Sequence, residues 1–129
     1  MLRNFLKFSF LILIILTVGC ARKGNITGGL KDTIAPKIII SKSIQNKDIY
    51  NQKEVRFTIS DDFSGIKTFN GFLNDQWILF EYESKLKRII HTFDDTKLLD
   101  GMNTLKLVVV DNVGNSTTFE TQFIRSLKK

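Results

Sequence analysis

The stretch that decides the fold is Leu105–Phe123, which reads LKLVVVDNVGNSTTFETQF. Leu105 to Val110 is strongly apolar, as in a strand near the centre of a sheet. Asp111 to Asn115 then has the composition of a tight turn, because glycine accepts a positive φ and Asp and Asn bond their own backbone. Beyond the turn, Phe119, Thr121 and Phe123 alternate with polar residues, which is the period of a half-buried strand. The stretch therefore predicts a hairpin with one face in a core.

The same period of two recurs upstream of this hairpin. Val55, Phe57 and Ile59 alternate with polar residues and precede a turn at Asp61–Gly65. Further strands are expected over residues 37–44, 66–73, 77–82 and 86–93, and no segment has a convincing helical period. A longer connection is expected over residues 94–103, and it begins with the turn residues Asp94 and Asp95. We predict an all-β, immunoglobulin-like Greek-key β-sandwich of about seven strands over residues 36–129. Its predicted core consists of Val55, Phe57, Ile59, Leu105, Leu107, Phe119 and Phe123.

Composition restricts the chemistry that the chain can perform. The 129 residues include one Cys and one His, with 19 Lys+Arg against 13 Asp+Glu and a formal net charge of +6. One Cys excludes an intramolecular disulfide, and one His excludes a multi-His metal centre. His91 has no accompanying nucleophile motif, so we predict no catalytic residue and no enzyme. Because the positive charge is not clustered, nucleic acid is not an expected partner.

The first 19 residues are typical of a secretory signal peptide. Arg3 and Lys7 supply a basic start, Phe8–Val18 is apolar, and Gly19 precedes Cys20. The apolar run is about half of the roughly 20 residues that span a bilayer, which favours a cleaved signal over the alternative of an uncleaved anchor helix. Residues 20–35, which have no apolar periodicity, are expected to form a flexible tether.

The residues Thr17-Val18-Gly19-Cys20 resemble the bacterial lipobox, with Thr17 standing where Leu is usual. The resemblance implies a lipoprotein in which Cys20 is acylated, as by palmitate, and becomes the first residue of the mature chain. The membrane is then a partner through the lipid anchor. Ala21 resembles an outer-membrane sorting residue, and Arg22 and Lys23 stand where surface-exported lipoproteins have acidic residues. We therefore expect a cell-envelope protein on the outer membrane, facing the periplasm.

A second resemblance covers most of residues 28–124. Gly28–Thr33 with Pro36-Lys37 resembles the junction between tether and domain in bacterial lipoproteins that carry Ig-like domains. Asp62–Ile66, Trp77–Tyr82 and Asp111–Asn115 resemble the β-sandwich module that follows the catalytic domain of lysostaphin-like zinc metallopeptidases. The resemblance implies a non-catalytic Ig-like module and does not bring the peptidase chemistry with it.

Two candidate sites follow from the predicted sandwich. Turns at one end would gather oxygen ligands suited to calcium, although the same residues are also ordinary turn formers. These residues are Asp61, Asp62, Asp111, Asn112 and Asn115. The other candidate is a ligand surface of Trp77, Leu79 and Phe69, since exposed aromatic clusters mark interaction sites. Phe69 and Phe72 are expected on opposite faces of the preceding strand, so one of them can join this surface. Because large aromatic side chains dominate sandwich cores, the favoured alternative places Trp77 inside the core.

The sequence thus predicts a lipid-anchored, non-catalytic binding module that contacts an envelope protein or glycan. One alternative is an accessory domain that localises a separately encoded cell-wall hydrolase. A second alternative is a calcium-dependent adhesion module. No other cofactor is expected.

Overall fold

The computed structural model describes residues 31–41, 44–49 and 52–126. The predicted signal peptide, Cys20 and the tether as far as residue 30 lie outside the described residues. One compact unit spans Asp32–Lys129. Within the described ranges, no helix is both long and apolar enough to cross a membrane.

In the described residues, eight strands form two four-stranded sheets, and the strands within each sheet pair antiparallel. The first sheet has the order β1-β2-β6-β5 and the second has the order β4-β3-β7-β8. A 3-10 turn covers Ser84–Leu86. This architecture confirms the predicted all-β sandwich. The strands are β1 (Lys37–Ile40), β2 (Glu54–Ser60), β3 (Ile66–Leu73), β4 (Gln76–Ile78), β5 (Glu81–Glu83), β6 (Arg88–Thr92), β7 (Gly101–Asp111) and β8 (Ser116–Arg125).

The strand expected over residues 77–82 is two strands in different sheets, which raises the count from seven to eight. β4 pairs with β3 in the second sheet, whereas β5 pairs with β6 in the first. The chain crosses between the sheets at Leu79 and Phe80. The alternation of buried and exposed residues continues through the crossing, since Ile78 and Phe80 are both buried. The alternation therefore gave no sign that the chain changes sheets.

Strand β7 is also longer than predicted, because its ladder with β8 continues to the pair Gly101–Arg125, and the added part contains a buried asparagine. Asn103 is 1% exposed. Its Nδ2 donates to the carbonyl oxygens of Leu99 (2.8 Å) and Gly101 (3.0 Å), and its Oδ1 accepts from Asn74 Nδ2 (2.8 Å). These bonds satisfy a polar side chain that would otherwise be costly to bury. The connection predicted over residues 94–103 is correspondingly shorter.

The core lies between the two sheets and contains the predicted residues. Phe119 alone among them is partly buried, and its ring packs edge-on against Phe57 with centroids 5.2 Å apart. Val55, Phe57, Ile59, Leu105, Leu107 and Phe123 are buried. Phe80 enters the core from the crossing between the sheets, and its ring lies 5.9 Å from that of Phe57.

Candidate functional site

Trp77 lies on the outside of the molecule, so the expectation that it fills the core is wrong. Its side chain is 55% exposed, whereas Ile78 is 1% and Phe80 is 5% exposed. The space that a large aromatic residue would take is occupied by Phe80, whose ring covers Gly71 of β3. A Cβ atom at Gly71 would lie 2.1 Å from Phe80 Cε2. This close packing of Phe80 sets the register that turns Trp77 outward.

The aromatic neighbour of Trp77 is Phe72, not the predicted Phe69. Phe72 and Trp77 are directly opposite each other in the β3–β4 ladder, and directly opposed side chains lie on the same face of a sheet. Phe69 belongs to the inner face of β3, where it packs against the core and its ring lies 5.9 Å from that of Tyr82. The sequence placed Phe69 and Phe72 on opposite faces, and the structure identifies Phe72 as the outward one.

The outer face of the second sheet carries a row of four side chains that includes this aromatic pair. Phe72 is paired with Trp77 on one side and with Lys106 on the other, and Lys106 is paired with Glu120. Adjacent strands lie about 4.8 Å apart, so the row extends over roughly 14 Å. We call these four residues the Trp77 row. It combines two aromatic rings with one cationic and one anionic group.

A cavity of about 220 Å³ lies beside the crossing between the sheets. Pairing of β5 with β6 ends at Ile90, so at His91 and Thr92 the side of β6 that faces away from β2 has no strand beside it in the described residues. Leu79 is 62% exposed and borders the cavity at the point where the chain passes from β4 in the second sheet to β5 in the first. The full lining is Leu79, Glu81, Ile90, His91, Thr92, Asp94 and Lys97.

The hydrogen bonds of His91 fix its tautomer. Nδ1 donates to the carbonyl oxygen of Leu79 at 2.8 Å, since a carbonyl can only accept, and Nε2 therefore carries the lone pair of the neutral ring. Burial lowers the pKa of His91, although the bond to Leu79 opposes this change. The ring centroids of Phe80 and Phe93 each lie 5.4 Å from the centroid of the imidazole. His91 is thus a neutral acceptor at pH 7.

The cavity and the Trp77 row are joined through Lys97. Its Nζ donates to the carbonyl oxygen of Trp77 at 3.4 Å. Asp94 is held in place because its Oδ1 accepts from the hydroxyl and backbone N–H of Thr96, and these bonds lower the pKa of Asp94. The sequence placed Asp94 in a turn and His91 on a strand, but gave no signal that they line one cavity.

The predicted calcium ligands are brought together only in part. Carboxylate oxygens of Asp32, Asp61 and Asp111 lie within 4.8 Å of one another. Asp62 lies apart from them and pairs with Lys37 at 2.6 Å. Asp32 was missed because it precedes the predicted domain start at Pro36, yet it is 8% exposed and accepts from the backbone N–H of Ser64. A lone Asp before the first strand carried no periodic signal.

The two asparagines of the predicted set act as donors. Asn112 Nδ2 donates to the carbonyl oxygen of Ser64 at 2.7 Å, and Asn115 Nδ2 donates to Asp111 Oδ2 at 2.7 Å. Burial raises the pKa of Asp111, but the bonds from Asn115 and from the backbone of the turn outweigh this effect and lower it. Most of the acceptors in the cluster are therefore already satisfied.

Asp61 Oδ2 is the exception in this cluster. It is a buried atom without a hydrogen-bond partner among the described residues, although Oδ1 of the same carboxylate accepts from Ser64 N and Gly65 N, both at 2.7 Å. A buried carboxylate oxygen in this condition is costly unless a cation or water occupies the space beside it. The three carboxylates Asp32, Asp61 and Asp111 are called the aspartate cluster below.

Comparison with solved structures places the fold among bacterial β-sandwich modules. The fibronectin(III)-like modules of Clostridium thermocellum CbhA match at 13% identity and a TM-score of 0.53, over 74% of this chain and 49% of that one. The endo-beta-1,4-mannanase of Thermotoga petrophila matches at 13% identity and a TM-score of 0.62, over 76% and 21%. CopC from Methylosinus trichosporium OB3b matches at 10% identity and a TM-score of 0.50, over 72% and 97%.

The chain therefore corresponds to about half of the CbhA chain and a fifth of the mannanase chain. No family model and no curated protein sequence matches it. At these identities the likeness concerns the fold alone. The protein has an antiparallel two-sheet β-sandwich similar to fibronectin(III)-like and CopC-type modules.

Proposed function

We propose that the protein is a lipid-anchored, non-catalytic module of the bacterial cell envelope that binds glycan through the Trp77 row. The observation that carries the proposal is the exposed Trp77 beside Phe72, on a sheet face that also presents Lys106 and Glu120. Aromatic rings offer a flat apolar surface to the C–H face of a sugar, and charged neighbours offer hydrogen bonds to its hydroxyl groups.

The position of the Trp77 row within the domain supports this role. The chain enters the domain at Asp32, beside the turns at residues 61–65 and 111–115. Phe72 and Trp77 lie toward the other end of β3, which at about 3.3 Å per residue is roughly 20 Å away. Eleven residues lie between Cys20 and Asp32, so the segment from Cys20 to Asp32 spans at most about 40 Å. The binding face thus lies at the end of the domain remote from the point where the chain enters it.

The anchor itself rests on the sequence around Cys20. Acyl chains contribute about 0.8 kcal/mol per buried CH₂, so two or more chains hold a protein durably on a membrane. Ala21, Arg22 and Lys23 favour the periplasmic face of the outer membrane. Palmitate labelling of cells that express the full chain tests this step: label on the wild type that disappears in Cys20→Ala supports it, and an unlabelled wild type overturns it.

The glycan proposal is tested by a binding screen with peptidoglycan fragments and soluble oligosaccharides. We expect Trp77→Ala to lose roughly tenfold or more in affinity, as is common when a central aromatic contact is truncated. Phe63→Ala is the matched control, because Phe63 is 61% exposed and lies in the turn before β3, far from the Trp77 row. Equal losses in both variants, or none in Trp77→Ala, would contradict the proposal.

A pull-down from envelope extract tests the alternative of an accessory domain. Recovery of a peptidoglycan hydrolase, dependent on Trp77 and insensitive to added oligosaccharide, would favour that function over glycan binding. Since the Trp77 row would then contact protein, the two functions are separated by competition with soluble glycan.

A second candidate function is calcium-dependent adhesion, which the unpartnered Asp61 Oδ2 favours. Oxygen ligands from three carboxylates suit calcium, and the ion would connect Asp32, at the entrance of the chain, to turns on both sheets. Equal thermal midpoints in EDTA and in millimolar calcium would refute this function.

A further inference from the structure

The cavity beside His91 has chemical features that the proposed function does not use. It opens next to Leu79 at the edge of the sandwich, and Lys97 connects its lining to the strand that carries Trp77. Its volume of about 220 Å³ is smaller than the roughly 300–1,000 Å³ of pockets for drug-sized ligands. A single sugar unit at the end of a chain lying along the Trp77 row is of the right size.

The lining is rich in hydrogen-bond acceptors. The tautomer of His91 leaves Nε2 with a lone pair, and Glu81 and Asp94 contribute carboxylates. Lys97 is the one cationic side chain in the lining, so with His91 neutral the net charge of the lining is −1. Such a site favours a ligand with several donors and a positive charge, and it disfavours an anionic ligand.

Resting on the proposed glycan function, we infer that this cavity is a subsite for an amino sugar with a free ammonium group. Asp94 and Glu81 attract the ammonium group, and His91 Nε2 accepts a hydrogen bond from a hydroxyl group of the same sugar. Lys97 donates to a further ring or hydroxyl oxygen. The exposed Leu79 covers the apolar face of the sugar between the cavity and Trp77.

A peptide terminus also carries an ammonium group, but the surroundings favour a sugar. A peptide bound at a sheet edge gains affinity from main-chain hydrogen bonds to the open strand. Here the His91 ring, which is bonded to the carbonyl oxygen of Leu79, lies beside the edge of β6 beyond Ile90. The cavity lies along the same part of this edge. Lys97 of the lining donates to the carbonyl oxygen of Trp77, so the cavity lies next to the strand that carries Trp77, and one sugar chain can contact both.

The test is a binding titration with the full-length chain in detergent, followed by Trp77 fluorescence and calorimetry. The probes are fully deacetylated chitotetraose, chitotetraose and tetragalacturonate. We expect the deacetylated sugar to bind about two- to fivefold more tightly than chitotetraose, which is the range that a solvent-exposed charge pair supplies, and the uronate to bind most weakly. Equal affinity for the first two probes in the wild type would overturn the inference.

Variants then separate the cavity from the Trp77 row. Asp94→Asn keeps the acceptor for Thr96 and removes the charge. We therefore expect this variant to bind the deacetylated sugar and chitotetraose with nearly equal affinity. Asp62→Asn is the matched control, since Asp62 is an exposed carboxylate at the other end of the domain. Trp77→Ala should weaken both chitin sugars equally. Retention of the wild-type preference in Asp94→Asn would overturn the inference.

A direct readout comes from His91, the one histidine of the chain. Its ¹⁵Nε2 resonance needs no assignment among histidines and should shift upfield when a sugar hydroxyl donates to it. If Trp77→Ala leaves sugar binding unchanged, the proposed function fails. If Trp77→Ala weakens binding while the His91 resonance and the charge preference do not respond, the subsite alone fails. Tetraalanine serves as the probe for a peptide terminus, and tighter binding of tetraalanine than of the deacetylated sugar would also overturn the inferred amino-sugar subsite.

Discussion

Gly71→Ala tests whether Phe80 controls the crossing between the sheets that exposes Trp77. The new Cβ atom would lie 2.1 and 2.6 Å from two carbons of the Phe80 ring and 3.2 Å from Ile78 Cγ1. Because Phe80 is 5% exposed and packs against Phe57 and His91, its ring has no vacant space beside it in the core. Overpacking of this kind costs about 1–3 kcal/mol of folding free energy.

For a domain of about 100 residues this cost corresponds to a fall in Tm of roughly 4–24 °C, at about 4–8 °C per kcal/mol. The assay is thermal and urea unfolding followed by far-UV circular dichroism. The same substitution in a Phe80→Leu background should cost less than about 1 kcal/mol, since the clashing ring carbons are gone and the two sites are directly coupled. Asn70→Ala, on the outer face of the same strand, is the control and should change stability by less than about 0.5 kcal/mol.

Equal costs of Gly71→Ala in both backgrounds would refute this reasoning, because the cost would then come from the backbone of β3 and not from the ring. The emission of Trp77 gives a second readout. Displacement of Phe80 should alter the position of β4, so the Gly71→Ala spectrum should differ from that of the wild type even below the unfolding transition.

Three further predictions concern the buried histidine, the aspartate cluster and the anchor. Burial holds the pKa of His91 below its ordinary value of 6.5, so the unfolded chain binds a proton first as the pH falls. The contribution of His91 to the free energy of unfolding should therefore decrease below about pH 6.5 and level off below the folded pKa, and an identical pH profile of Tm in His91→Phe would contradict this. Millimolar calcium should raise the Tm of the wild type and leave that of Asp61→Asn unchanged, measured against EDTA; a shift of the same size in Asp61→Asn would show that calcium acts elsewhere. In fractionated cells, the wild-type protein should sediment with membranes and Cys20→Ala should not, and membrane association of both would count against the lipid anchor.

The sandwich could be predicted from the sequence because strands such as β2, β7 and β8 carry a clear period of two. In β2 and β8 the alternation of Phe57 and Phe123 with polar neighbours indicates both the strand and its buried face. The turn at Asp111–Asn115 indicates the last hairpin in the same way. Local patterns of this kind depend only on the nearest residues, so they can be seen without knowledge of the tertiary structure.

The candidate sites could be predicted less well because they depend on contacts between distant segments. Ile78 and Phe80 continue one alternation across two sheets, and nothing in the local pattern marks the change. The outward position of Trp77 follows from the missing Cβ of Gly71, which makes room for Phe80. Asp32 reaches the aspartate cluster through a contact with Ser64, 32 residues further along the chain.

The position of Asp94 beside His91 likewise arises from the folding of the connection between β6 and β7. The sequence identified the residue types of both sites. It did not identify Phe72, Asp32 or the cavity, because each of these is defined by a tertiary contact.

The most direct test of the account uses Trp77 as the single tryptophan of the chain. Acrylamide quenching of its fluorescence should be efficient in the free full-length protein, with an emission maximum typical of a solvated indole. Saturating peptidoglycan fragments should protect the ring and shift the emission to shorter wavelength. A blue-shifted spectrum that resists quenching in the free protein, or unchanged quenching at saturation, would contradict the claim that this exposed aromatic row is the binding surface.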